Sequence, residues 1–221
     1  APAEETGSRL HKTGRTFYTD ERIAVGRKNL ARPDWGGDLR RRIFETGDSI
    51  RGYIGPEYTP ADLYAAQPDR FLWLLQPPTT IPRVIDPRDS VARCPQHGVQ
   101  VRQVDPKCPW RLDPIGHPYQ IQCPIGGEWY PSNRYDQGDR TSGPFPDDGN
   151  GFTVEGIRYF PLREYGHMIY GTVVIPTLRS LSQAYLLTGD RRYAHKGCVL
   201  LARLATVYPN YGWEGDDPTL E

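Results

Sequence analysis

The stretch Leu181-Ser182-Gln183-Ala184-Tyr185-Leu186-Leu187-Thr188-Gly189-Asp190-Arg191-Arg192-Tyr193-Ala194 decides the fold class. Thr188-Gly189-Asp190 punctuates two helical patterns. Glycine accepts the positive φ of a helix C-cap without a Cβ penalty. Asp190 then offers a side-chain oxygen to the free N–H groups that open the next helix. Upstream, Val174, Leu178, Leu181 and Tyr185 recur at i, i+4, i+7 and i+11. Downstream, Tyr193, Gly197, Leu200, Leu201, Leu204 and Tyr208 form a stripe that Pro209 closes. Both spacings are helical, so the segment predicts two antiparallel amphipathic helices joined by a tight turn. Cys198, inside the second helix, reads as a small buried hydrophobe.

Outward from this hairpin, the helical pattern reaches back to Pro161 and then stops. Residues 77–160 are dense in proline and glycine and show little helical period, yet their tryptophans and tyrosines need burial. They read as an irregular, β-containing insertion. Asp147-Asp148-Gly149-Asn150-Gly151 is a tight turn, and Phe152 to Tyr159 alternates weakly like a strand. Residues 20–76 return to helix: from Asp20 as N-cap to about Ala31, from Asp34 to Phe44 with Trp35, Leu39 and Ile43 on one face, and from Pro60 to Ala66. Arg40, Arg41 and Arg42 should be solvated. Phe71-Leu72-Trp73-Leu74-Leu75 is a short apolar block. Residues 1–19 form a polar arm, and the end, from Trp213 to Glu221, carries acids and no base. The expected division is therefore 1–19, 20–76, 77–160 and 161–221. The last segment is expected to continue, or to pair with a second polypeptide.

Composition narrows the function. The 221 residues carry 27 basic and 27 acidic side chains, a formal charge of zero. That argues against a protein living on nucleic-acid phosphates or an anionic membrane surface. No apolar run approaches the roughly 20 residues of a membrane span. Arginine supplies 23 of the 27 basic residues, and its planar fork suits carboxylates and sulfates.

Three of the four cysteines fall close together. Cys94-Pro95-Gln96-His97-Gly98 is a C-x-x-H knuckle, followed by Cys108-Pro109 and Cys123-Pro124-Ile125-Gly126-Gly127. Thiolate and imidazole donors beside proline and glycine turns suit a tetrahedral Zn²⁺. A loop-rich segment with little core gains stability from such a cross-link. The expected ligands are Cys94, His97, Cys108 and Cys123, with His117 as a substitute for Cys108. A disulfide between two of the three cysteines, or no bond at all, are the alternatives. Four protein ligands leave no open position, so the site is structural.

Arg93 to Gly98, Pro109 to Pro118, Ile121 to Pro124 and Glu128-Trp129-Tyr130-Pro131-Ser132-Asn133 together resemble the N-terminal part of heparinase II/III-like polysaccharide lyases. The 181–194 stretch and Leu200 to Ala205 are similar to the helix-turn-helix that opens their α/α toroid. The resemblance spans about residues 20 to 212. It implies an N-terminal α/α toroid followed by β-sandwich domains, and cleavage of acidic, uronic-acid polysaccharides by β-elimination; with only two or three helical hairpins, the chain is expected to be mainly α, an incomplete (α/α) toroid with the irregular, zinc-stabilised insertion. It also implies a secreted or periplasmic enzyme completed by a C-terminal remainder; self-association is compatible with it.

β-Elimination needs a group that neutralises the uronate carboxylate, a base for the C5 proton and an acid for the leaving oxygen. The family's Asn-His motif on a later toroid helix has no counterpart here. The best cluster is Tyr165-Gly166-His167-Met168-Ile169-Tyr170, with Asn133-Arg134-Tyr135. His167 and Tyr165 are the expected catalytic contributors; Asn133, Arg134, Tyr135 and Tyr170 are expected to bind substrate. Two competing readings remain. One is a glycoside hydrolase pairing Asp147 or Asp148 with Glu155 or Glu164. The other is a non-catalytic carbohydrate-binding or assembly module.

Overall fold

Glycine and aspartate end and restart the chain where expected. In the computed structural model, which describes residues 17–34, 36–46, 60–78, 92–106 and 108–210, Gly189 sits at φ 75° and its N–H returns to Tyr185 O. Asp190 accepts from the N–H of Arg192 at 2.9 Å. The helices on either side are α6 (Ile175–Thr188) and α7 (Arg191–Val207). The remaining helices are α1 (Asp20–Leu30), α2 (Gly36–Arg40), α3 (Ala61–Ala66), α4 (Asp69–Leu74) and α5 (Pro161–Ile169). The chain is mainly helical. The arm before residue 17, the acidic end after residue 210, Trp35 and residues 79–91 lie outside the described residues.

From Pro161 to Thr188 the helix is continuous, but it widens into a π turn at Tyr170–Val174 between α5 and α6. Pro176 explains this. It has no N–H for the carbonyl four residues back, and its ring crowds that carbonyl. Widening lets the N–H of Ile175 reach Tyr170 O instead. A second π turn, Arg41–Thr46, extends α2 and buries Ile43 and Phe44, while the arginines 40 to 42 face solvent as expected.

The α6–α7 hairpin is the spine. α3 packs against both of its helices, α4 against α7 and α1 against α6. Polar bonds fasten α7 along its length. Tyr193 donates to Asp62 at 2.6 Å, Lys196 donates to Gln67 O at 2.7 Å and to Asp69 at 2.6 Å, and Arg203 donates two bonds to Gln76 O.

These fastenings rotate α7 away from its expected stripe. The buried residues are Tyr193, Leu200, Arg203 and Val207, whereas Leu201 is 56% exposed and Tyr208 and Cys198 also face outward. Arg203 takes an inward position because its guanidinium finds a carbonyl and the face of Trp73; Leu201 then turns out. Val174, the last residue of the π turn, and Leu181 on α6 are buried, but Tyr185 is exposed. Two further expectations change. Phe71 to Leu75 belongs largely to a helix, α4, and α1 is capped by Thr19 rather than Asp20, because Thr19 has the extended backbone that lets its hydroxyl accept from Arg22.

Residues 92–160 hold two short antiparallel ladders. β1 (Ile121–Gln122) pairs with β2 (Trp129–Tyr130), and β3 (Phe152–Val154) with β4 (Ile157–Tyr159). The single strand expected over 152–159 is thus folded in half. Glu155 and Gly156 both take positive φ, 50° and 78°, the signature of a two-residue type I′ turn whose twist matches the flanking strands. One apolar core joins everything, running from Ile43 and Tyr64 through Cys94, Trp110, Cys123 and Tyr130 to Leu162, Leu181 and Leu200.

Candidate metal centre

The β1–β2 register builds half of the site. Ile121 opposes Tyr130, so the next pair on the same face is Cys123 opposite Glu128. The Cys123 N–H bonds Glu128 O at 2.8 Å, and the Gly127 N–H returns to Cys123 O at 3.0 Å. Ile121 and Tyr130 are buried, so this face points into the protein, and both Cys123 and Glu128 follow it. Gly127 at φ 82° makes the tight return.

The other half is the Cys94–His97 knuckle. Cys94 and Gly98 exchange backbone bonds of 3.0 and 2.8 Å, and Gly98 takes φ 55°. The Tyr130 hydroxyl steadies this loop: it donates to Gln96 at 3.1 Å and accepts from the Cys94 thiol at 3.5 Å.

Together the halves bring Cys94, His97, Cys123 and Glu128 into one group whose donor atoms all lie within 4.8 Å of one another. His97 Nδ1 stands 3.5 Å from each sulfur and 3.7 Å from Glu128 Oε2. Three observations show the arrangement fits a metal ion. Glu128 Oε2 is buried without a hydrogen-bond partner, a state that polar atoms avoid unless something else occupies them. A Cβ on Gly126 would collide with the Glu128 carboxylate and the His97 ring, so the cradle requires glycine. The donors themselves, two thiols, an imidazole and a carboxylate, are metal ligands by chemistry. Burial raises the Cys123 thiol above its ordinary range, so binding must displace a proton that the protein otherwise retains.

Of the four expected ligands, three converge. Cys108 does not. Its N–H bonds Asp105 at 2.7 Å, and burial, with Glu164 and Asp105 nearby, pushes its thiol up to about 11. An unpaired buried thiol of this kind stays protonated. His117 is also elsewhere, stacked on Trp129 at 3.8 Å and paired with Gln120. Glu128 fills the fourth place. The signal for it was the Cys123-x4-Glu128 spacing around Gly126-Gly127: a hairpin, where a second knuckle would have needed a nearer donor.

The residues expected to touch substrate scatter. His167 is exposed on α5, but Tyr165 is fully buried, and burial raises its phenol well above the usual range. Residues two apart on a helix do not share a face, so this pair does not form one acid–base unit at the surface. Asn133 is buried and used by the backbone: its amide nitrogen bonds Asp139 O and Asp147 O, and its oxygen accepts from the Asp147 N–H. Arg134 is exposed and clamped to Asp136 by two 3.0 Å bonds. Tyr135 is half-buried beneath the Arg140 guanidinium, 3.5 Å from its ring. Tyr170 is half-buried at the start of the π turn.

Asp147 has a task that the sequence hid. Its carboxylate accepts from Gly149, Gly151 and the Leu162 N–H at the start of α5. Phe160, at the N-cap position, offers no side-chain bond, so Asp147 caps that helix from a distance. Asp148 bonds the Asn150 N–H and Glu155 lies in the β3–β4 turn.

Searches against protein-family models, curated proteins and solved structures returned no match.

Proposed function

We propose that this chain is the N-terminal portion of a polysaccharide lyase that breaks uronic-acid polymers by β-elimination, with its hairpin opening an (α/α) toroid and its Cys/His knot forming a structural zinc centre. The observation that supports this most is spatial. The segments carrying the family resemblance are separated along the chain, yet they share one core: Cys94, Trp110, Cys123 and Tyr130 pack in the same cluster as Leu181 and Leu200. The knot thereby fixes the irregular segment against the helices from which a toroid would grow.

Zinc suits the donor spacing. Tetrahedral bonds of about 2.3 Å to sulfur and about 2.05 Å to nitrogen place those ligands roughly 3.6 Å apart, and both sulfur–nitrogen distances are 3.5 Å. A set of two thiolates, one imidazole and one carboxylate is closed and needs no water. Substrate contact falls to the accessible groups, His167, Arg134, Tyr135 and Tyr170. The principal acid and base lie on the C-terminal remainder, and the enzyme works outside the cytoplasm. The hydrolase reading draws no support from Asp147, whose carboxylate is buried and already accepts three N–H groups.

The test is product chemistry. The full-length gene product, incubated with alginate, pectate and glycosaminoglycans, should release oligomers bearing an unsaturated uronate, read by its ultraviolet absorbance. New reducing ends without unsaturation would establish hydrolysis instead, and neither product from any uronate polymer would end the lyase reading.

A further inference from the structure

Cys94 and Cys123 are both buried free thiols, and they come from different loops. Cys94 opens the knuckle that Gly98 closes, and Cys123 opens the turn that Gly127 closes. Both sulfurs belong to the group whose donor atoms all lie within 4.8 Å of one another, and His97 Nδ1 stands 3.5 Å from each. The other two cysteines are placed differently. Cys108 lies outside this group, with its N–H bonded to Asp105, and Cys198 is exposed on α7.

A metal and a disulfide are competing uses of these two sulfurs. A metal holds both as thiolates. A disulfide draws them to about 2.05 Å, from a separation already below 4.8 Å. Either bond ties the knuckle to the β1–β2 turn. Neither loop has more than a short ladder of its own: the knuckle has the Cys94–Gly98 bridge, and the turn has β1 and β2. Loss of the metal with no replacement would leave this end of the core untied. The other two donors need no new partner from elsewhere, because His97 Nδ1 and Glu128 Oε2 are 3.7 Å apart, within ion-pair reach. They are also the side of the group that meets solvent: their side chains are 26% and 33% exposed, whereas both sulfurs are buried.

We infer that Cys94 and Cys123 are a redox-modification site: a peroxide oxidises them to a disulfide that takes the place of the metal as the tie between the two loops. The metal half of this inference rests on the zinc reading of the site. One sulfur, as thiolate, attacks a peroxide oxygen; the O–O bond breaks, the sulfur becomes a sulfenic acid and the other oxygen leaves as water. The second sulfur attacks the sulfenic sulfur; the S–S bond forms, the S–O bond breaks and a second water leaves. Two electrons pass from the sulfur pair to the peroxide. Metal-bound thiolates carry no protons, so solvent supplies the two that complete the waters. His97 and Glu128 alone are then too few ligands to retain Zn²⁺. Outside the cytoplasm, where the lyase reading puts the enzyme, thiols within reach of one another are prone to oxidation, and a bound metal is what keeps these two reduced.

The experiment treats the purified protein with hydrogen peroxide beside a chromophoric zinc chelator, against a peroxide-free control, and maps disulfides by mass spectrometry of unreduced peptides. Zinc release above the control should keep pace with formation of a Cys94–Cys123 bridge, and dithiothreitol followed by zinc should reverse both. Once metal is removed, the bridged protein should melt about 5 °C or more above the fully reduced protein. Three results overturn the proposal: a bridge that uses Cys108 instead, oxidation of Cys94 or Cys123 to a sulfinic acid with no bridge, or equal melting of the two metal-free forms. The zinc reading fails separately. A protein that carries no metal yet forms the Cys94–Cys123 bridge defeats the zinc centre and sustains the thiol pair, whereas a zinc-loaded protein that forms no bridge under peroxide defeats the pair alone.

Discussion

Glu164 illustrates how one side chain acquires an unusual property from its position. It stands on α5 with Cys108 nearby, and burial pushes its carboxyl up to about 7. In the unfolded chain it would titrate near the ordinary glutamate value of about 4.3. The folded protein therefore keeps a proton that the unfolded chain releases, and this group's contribution is full below the unfolded value and lost as pH rises through 7. Glu164→Gln, which cannot ionise, should match the wild type near pH 4 and exceed it above pH 7, by up to about 3–4 kcal/mol. Urea denaturation of both proteins at about pH 5 and about pH 8 checks this; an unchanged difference between the two conditions would show that Glu164 ionises normally.

At the scale of elements, α5 depends on a residue outside it. Asp147 supplies its cap and simultaneously closes the 147–151 turn, through 2.8 Å bonds to Gly149 and Gly151 and a 3.1 Å bond to Leu162. Asp147→Ala strands three donors and should cost about 3 kcal/mol or more. Asp190→Ala, which removes a conventional exposed cap on α7, should cost about 1 kcal/mol. Asp148→Ala should be near neutral, because its one bond is exposed. Chemical denaturation midpoints for the three variants test the ranking, and parity between Asp147→Ala and Asp190→Ala would show that the long-range cap adds nothing.

At the scale of the molecule, the Cys/His knot joins two loops that have only short ladders of their own. Chelation should therefore lower the melting temperature and release backbone protection first in residues 94–130, while the α6–α7 hairpin, packed by α3 and α4, keeps its slow-exchanging amides. Cys94→Ser and Glu128→Gln should lose metal and thermal stability together, whereas Cys108→Ser should retain full metal content. Elemental analysis and hydrogen exchange provide the readouts. Metal lost from Cys108→Ser, or retained by Cys94→Ser, would redraw the ligand set.

What the sequence determined by itself is local. The glycine C-cap and aspartate N-cap at 189–190, the proline boundaries and the Cys94–His97 knuckle depend on residues a few positions apart, so their physics is complete within a short window. Two of the four candidate donors, Cys94 and His97, were legible for the same reason, and Cys123 from its residue type beside a proline and two glycines. Only the tertiary structure decided the rest. Glu128 displaces Cys108 because the β1–β2 register sets it opposite Cys123. Asp147 is a cap rather than an acid because folding brings Leu162 to it. Arg203 turns inward, and Leu201 outward, because Gln76 and Trp73 meet α7 across more than a hundred residues of chain. Such long-range partners carry no periodic signature; each is selected by the free energy of satisfying a buried charge or donor, which exists only once the core has closed around it.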